Sequence, residues 1–298
     1  MPQKKSLPPT YKERLVRELQ AMESDYVSVL HESEIRYVNP NSPYNNHVVL
    51  GAADWGWGPS TPQLESRRMD LLRRLRGWEP RFRLLFPHPT PEVAAKLNEA
   101  LEHLERWLVR EGTWNDWSVP EHISQAVTRL QESVQRLHDL TGLLPADPWP
   151  TRLVVDTNAL IDNPDLAAYT SQIGPRYMAH LLPVVLRELD DHKRAGRTES
   201  LREAAKKADR RLKGLRNNGD VTRGVKVAGD VHAVFEYIEP RSQALPDWLD
   251  LSVPDDRFVA STLLLQSQYP GSAWYVATSD LNMQTKLAAV ALPFLEPE

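Results

Sequence analysis

Residues 153–158 read Leu153-Val154-Val155-Asp156-Thr157-Asn158. Branched apolar residues in a short run favour a buried strand. The run ends in a carboxylate, a hydroxyl and an amide. In a parallel α/β sheet the carboxyl ends of the strands share one edge, and ligands bind in the crevice there. Working outward, three further acidic stations lie in the same half of the chain. Leu181-Leu182-Pro183-Val184-Val185-Leu186 is followed by Glu188. Asp255-Asp256 follows Pro254 and opens an apolar, helix-like stretch. Trp274-Tyr275-Val276-Ala277 leads into Thr278-Ser279-Asp280. Carboxylates gathered at one edge would crowd, and close like charges do not stay ionised together without a cation between them. A divalent-metal site is the economical reading, and phosphoryl transfer is the chemistry such sites usually perform.

Each acid also has a plainer reading. Asp156, Asp280 and the 255–256 pair can each cap a helix, as Asp commonly does. Glu188 in Val-Val-Leu-Arg-Glu-Leu-Asp-Asp-His-Lys can be a solvated helix residue. The combination carries the argument, not any one member.

The surrounding pattern supports an α/β unit. Residues 151–298 predict strands near 152–156, 180–185, 232–238, 273–277 and 292–295. Helices are predicted near 164–173, 184–194, 198–216, 254–268 and 281–289. Such alternation favours a parallel sheet with crossover helices. Residues 1–149 predict helices only. Apolar spacing covers Tyr11 to Ile35, and Thr61-Pro62 and Thr90-Pro91 read as helix starts. A last helix runs from about Pro120 to Leu140, and the segment from Leu97 to Leu140 predicts an antiparallel hairpin. Asn39 to Pro62, rich in Pro, Gly and Asn, reads as loop. The Pro-rich stretch 145–150 is the expected boundary, giving domains 1–149 and 150–298.

Composition narrows the function. The 298-residue chain contains no cysteine, which excludes disulfides, thiolate zinc sites and thiol nucleophiles and fits a reducing, cytoplasmic setting. No apolar run approaches the ~20 residues of a membrane span, and the N-terminal segment has no apolar signal core. Between His192 and Lys226 stand twelve Lys/Arg and four Asp/Glu, a local balance of +8. With -4 overall, the rest of the chain carries -12. A basic stretch beside an acidic site points to a polyanion, with Arg194, Arg197, Arg210 and Arg211 as candidate backbone contacts. His180 and His192 read as structural. Six tryptophans between Trp55 and Trp117 suit either base stacking or a core or interface.

The second half resembles a PIN domain. The resemblance rests on VVDTNALID, on PVVLRELDDHKRAGRTESLREAAKKADRRL, on PDDRFVAS and on YVATSDLNMQTKL. It implies an α/β fold, a PIN-like parallel sheet flanked by helices, with the all-α N-terminal domain as an accessory. It implies a metal-dependent endoribonuclease using Mg2+ or Mn2+. By position, Asp156, Glu188 and Asp280 would be metal ligands, with Asp256 favoured over Asp255 for the fourth place. Thr157, Asn158, Ser279 and Asn282 would orient the carboxylates or touch substrate. RNA is the expected partner, with a homodimer, an antitoxin or a regulatory protein as further candidates. A toxin-like role or RNA processing both suit the family, although the long N-terminal half is atypical of toxins. The rivals are a catalytically silent RNA- or protein-binding PIN domain and a structure-specific DNA nuclease.

Overall fold

A computed structural model describes residues 9–39, 41, 53–111, 116–237, 239–241, 245–246 and 248–297. The chain forms two compact units. One is Glu13–Leu144, and the other takes in Pro145–Glu298 together with the N-terminal residues through Lys12. The division falls at the head of the Pro-rich stretch.

The N-terminal unit is built on four helices: α1 (Tyr11–His31), α2 (Pro62–Arg83), α3 (Pro91–Val109) and α4 (Ile123–Thr141). Thr61 and Thr90 cap α2 and α3 by accepting from the backbone N–H groups of Leu64 and Val93, and a proline follows each cap. Such capping satisfies otherwise unpaired N–H groups at the helix start. Glu99 pairs with Arg136, and His103 bonds Ser133, so α3 and α4 run antiparallel. Trp78, Phe82 and Trp107 fill the core, with Trp78 Nε1 donating to Leu15 O at 2.9 Å. The segment expected to be all loop holds a strand, β2 (Trp55–Trp57), which pairs antiparallel with β1 (Ile35–Tyr37). Trp57 drives this pairing, since it is buried edge-on against Trp107 at 5.4 Å with the Arg110 guanidinium over its ring. Trp117 is exposed, whereas Trp114 and half of Asn39–Pro62 (residues 40 and 42–52) lie outside the described residues.

The C-terminal unit is a mixed, mainly parallel six-stranded sheet in the order β5-β6-β4-β3-β7-β8. Its strands are β3 (Thr151–Val155), β4 (Arg176–Leu181), β5 (Val225–Ala228), β6 (Asp230–Phe235), β7 (Ala273–Ala277) and β8 (Phe294–Leu295). Only β5 runs antiparallel, on β6 at one edge. Between the strands lie α5 (Thr157–Asp162), α6 (Thr170–Ile173), α7 (Pro183–Ala195), α8 (Glu199–Leu215), α9 (Pro254–Gln268) and α10 (Leu281–Ala289).

The strand expected over 180–185 is displaced: β4 ends at Leu181, and Pro183 is the first residue of α7. Proline removes a ladder donor but is pre-set for a helix start. The apolar run therefore divides between a strand end and a helix face. Parallel neighbours of β3 lie on both sides, β4 toward one edge and β7 toward the other. The chain builds outward through β4 and β6, then returns to β7. This reversal beside β3 makes the β3/β7 junction the topological switch point, where α/β sheets open a crevice.

Candidate functional site

Asp156 directly follows β3 and is the N-cap of α5. Its backbone N–H donates to Ala277 O at 3.0 Å, tying the carboxyl ends of β3 and β7 together. One carboxylate oxygen accepts from Thr157 N at 2.7 Å, and the other accepts from Thr278 Oγ1 at 3.1 Å. Asp280 follows β7 and caps α10 by accepting from Met283 N at 3.0 Å. Glu188 sits on the second turn of α7, where its carboxylate accepts from Thr157 Oγ1. Asp255 enters from the first turn of α9. The capping reading and the functional reading were not exclusive. Helix starts here face the sheet edge, so a capping carboxylate also faces the crevice.

Asp156, Glu188, Asp255 and Asp280 line one cleft of about 280 Å³, together with Thr157, Asn158, Asp191, His192 and Met283. Asp156 is only 5% exposed. Burial pushes its pKa up to about 6, against the bonds from Thr157 and Thr278, and the charges of Glu188 and Asp280 push the same way. Desolvation is thus the main cause of the shift, and the like charges of Glu188 and Asp280 add to it.

The doubled acid resolves differently from the sequence reading. Asp256, the favoured ligand, does not line the cleft. It is 6% exposed, accepts from Asp250 N at 3.0 Å and pairs with Lys286 Nζ at 2.8 Å. Asp255 borders the cleft instead, and its Oδ2 accepts from Asn282 Nδ2 at 2.9 Å and lies 3.3 Å from Lys286 Nζ. Matching small residues along α9 shifted the choice by one position, and a one-residue shift turns a helical side chain by about 100°. Burial lowers the Lys286 pKa, but its bonds to Asp256 and Asp255 outweigh this and hold it above the usual lysine value.

Among the other predicted residues, Thr157 and Asn158 are cleft residues, and Asn282 orients Asp255. Ser279 is exposed and does not line the cleft. Its neighbour Thr278, fully buried, supplies the hydroxyl that touches Asp156. Arg194, Arg197, Arg210 and Arg211 are exposed and lie outside the cleft lining. His180 is structural: its ring bridges Arg152 and Glu236 at 3.0 and 2.7 Å and is 1% exposed. His192, read from sequence as structural, lines the cleft, and so does Asp191, which was not among the expected site residues. The available signal was spacing, since His192 lies four residues after Glu188 and so on the same helix face.

Among the described residues no three His, Asp or Glu side chains converge as a ready ligand set for an ion. The carboxylates instead rest on their own neighbours around the open cleft. Mg2+ keeps several of its waters and is commonly held by one or two carboxylates. An oxygen-dominated donor set around an open cleft therefore fits a hydrated hard cation rather than a protein cage.

An α/β domain with its acids gathered at the switch-point edge has the frame of a phosphoryl-transfer enzyme. Residues 153–293 match the family model described as PIN domain, and the C-terminal half of the chain belongs to that family. PIN domains are generally nucleases and typically use divalent metals. No curated protein matches the chain.

Proposed function

We propose that the C-terminal unit is a metal-dependent endoribonuclease that hydrolyses phosphodiester bonds at the Asp156–Glu188–Asp255–Asp280 cleft. The observation that carries this reading is the meeting of four carboxylates, from four separate elements, at the switch point of the sheet. A bound Mg2+ or Mn2+ would supply Lewis acidity and a lowered water pKa. The protein's own groups do the positioning. Thr278 and the Thr157 amide hold Asp156, the Thr157 hydroxyl holds Glu188, and Asn282 holds Asp255. No covalent protein nucleophile is required.

RNA is the proposed substrate because of the basic segment after Glu188. Several of its cations are engaged by neighbours: Arg202 with Glu199, Lys206 with Glu203, Lys213 with Asp209 and Arg211 with Asp165. Among the described residues Arg194, Arg197, Lys207, Arg210, Arg216 and Lys226 of this segment have no carboxylate partner, and all six are exposed. These are the cations left to hold a phosphate backbone.

The test is cleavage of matched RNA and DNA oligomers by the full chain, with Mn2+ and with EDTA. The expected result is internal RNA cleavage that EDTA abolishes and that Asp156→Asn lowers on the order of 10²-fold, as when one charge-stabilising group is removed. Cleavage of DNA alone, or RNA binding with no cleavage at all, would overturn the proposal.

A further inference from the structure

The Lys286 ammonium is a cation already present beside the cleft. It lies 2.8 Å from Asp256 Oδ1 and 3.3 Å from Asp255 Oδ2. The same Asp255 oxygen also accepts from Asn282, and the second Asp256 oxygen accepts from the Asp250 backbone N–H. Three of the four carboxylate oxygens at positions 255 and 256 are therefore engaged by donors of the protein. Asp255 Oδ1 is the one left for a ligand in the cleft. Asn282 and Lys286 are four residues apart on α10, hence on one face, and Asp280 caps the same helix. One nine-residue helix thus supplies both donors to Asp255, while its cap places Asp280 in the cleft.

Two-metal sites place their ions about 3.5–4 Å apart, so a second ion would draw on the same group of carboxylates. Here three of the four carboxylate oxygens on the α9 side are taken by donors of the protein, two of them by the Lys286 ammonium. An ammonium supplies positive charge without Lewis acidity, and its tether fixes where that charge sits.

We propose that Lys286 is a built-in counter-cation standing in for a second divalent ion, so that the cleft takes up one Mg2+ or Mn2+ rather than two. This rests on the metal-dependent reading above. It also accounts for the lack of a ready three-donor group: Asp255 is drawn toward Lys286 and Asn282.

The experiment counts Mn2+ on the metal-free full-length chain, by calorimetric titration and by the electron paramagnetic resonance of free Mn2+. The wild type is expected to bind one Mn2+, and Asp156→Asn to lose it. Lys286→Met removes the charge at similar length. It should admit a second Mn2+ or tighten the first by at least about tenfold, the effect of removing a nearby unit charge. Lys286→Arg keeps the charge and should remain at one. Should Lys286→Met fail to fold, Lys286→Gln, which also removes the charge but keeps a polar side chain, takes its place with the same expectation. Two ions on the wild type, or a folded Lys286→Met that binds as the wild type does, would overturn the Lys286 assignment alone. No Mn2+ on the wild type, or a count that Asp156→Asn leaves unchanged, would overturn the metal reading and this proposal with it.

Discussion

Asp156 makes the metal-free protein less stable than it would be with a neutral side chain at this position. Its pKa is raised from 3.8 to about 6 in the folded state, chiefly by burial. Below pH 3.8 the group is protonated whether folded or unfolded and contributes nothing. Between pH 3.8 and about 6 the unfolded chain is ionised while the folded group still holds its proton, so stability falls across that window and levels off above pH 6. A shift of this size corresponds to roughly 3 kcal/mol above pH 6. Asp156→Asn is therefore expected to raise the melting temperature in EDTA at pH 8 and to change it little at pH 4. Mn2+ should stabilise the wild type at pH 8 and leave the variant nearly unaffected. Equal stabilisation of the variant at both pH values would contradict the electrostatic account. Asp156, Glu188 and Asp280 were legible because each follows an apolar run at a fixed place. The choice between Asp255 and Asp256 was not, because it depends on Lys286 and Asn282, donors about thirty residues away. Periodicity along α9 carries no information about a partner on α10.

At the level of elements, the basic segment separates into cations with partners and cations without. Arg211 lies 3.7 Å from Asp165, both half-exposed, a geometry that adds little stability in water. Arg194, Arg197 and Arg210 lack such partners among the described residues. If each meets one phosphate of single-stranded RNA, each contributes about 0.7 to the slope of log affinity against log salt. The triple variant Arg194→Ala, Arg197→Ala, Arg210→Ala is expected to flatten that slope by about 2. Anisotropy titrations of a labelled RNA across a salt series would measure it, and an unchanged slope would remove these residues from the interface. Arg211→Ala should change the slope less.

Most element positions were readable from sequence: α9, α10 and β7 fall where periodicity and a leading Pro or Asp place them. The failures have local causes. β5 has only four residues and sits inside the basic segment, so its pairing with β6 decides it rather than its own pattern. Gly224 and Gly229 flank it at φ +99° and +55°, backbone angles that turn the chain at either end. α5, six residues long, is too short for a periodic signal and depends on its Asp156 cap.

Across the whole molecule, the Pro-rich stretch read as the domain boundary is bound into the C-terminal unit. Asp147 pairs with Arg152 through both carboxylate oxygens, at 3.0 and 2.9 Å, with both side chains no more than 5% exposed. Arg152 also meets Ser272 and His180, and its guanidinium stacks over Tyr269 at 3.7 Å. The contact-based division of the chain falls at Pro145, the first residue of this stretch. Composition concealed the attachment because Arg152 reads as one polar residue in an apolar strand. Further strengthening comes from the N-terminal segment, where Tyr11 N and Lys12 N donate to Ser272 O and Pro270 O. Removing Asp147 leaves the Arg152 charge buried and uncompensated, a loss that typically costs 3–5 kcal/mol, here taken as about that size. Asp147→Ala is therefore expected to destabilise the C-terminal unit by about that amount while leaving the N-terminal unit near its wild-type stability. Global denaturation would blur two units into one curve. Hydrogen exchange read peptide by peptide under increasing urea keeps them apart. Protection should fall across β3, β4 and β7 and stay unchanged across α2, α3 and α4. Adding Arg152→Met to Asp147→Ala removes the stranded charge and should recover part of the loss, because an apolar replacement of a buried pair is far less costly than half of it. If the double variant is as unstable as the sum of the two single variants, the pair is not coupled and the linker is held by other contacts.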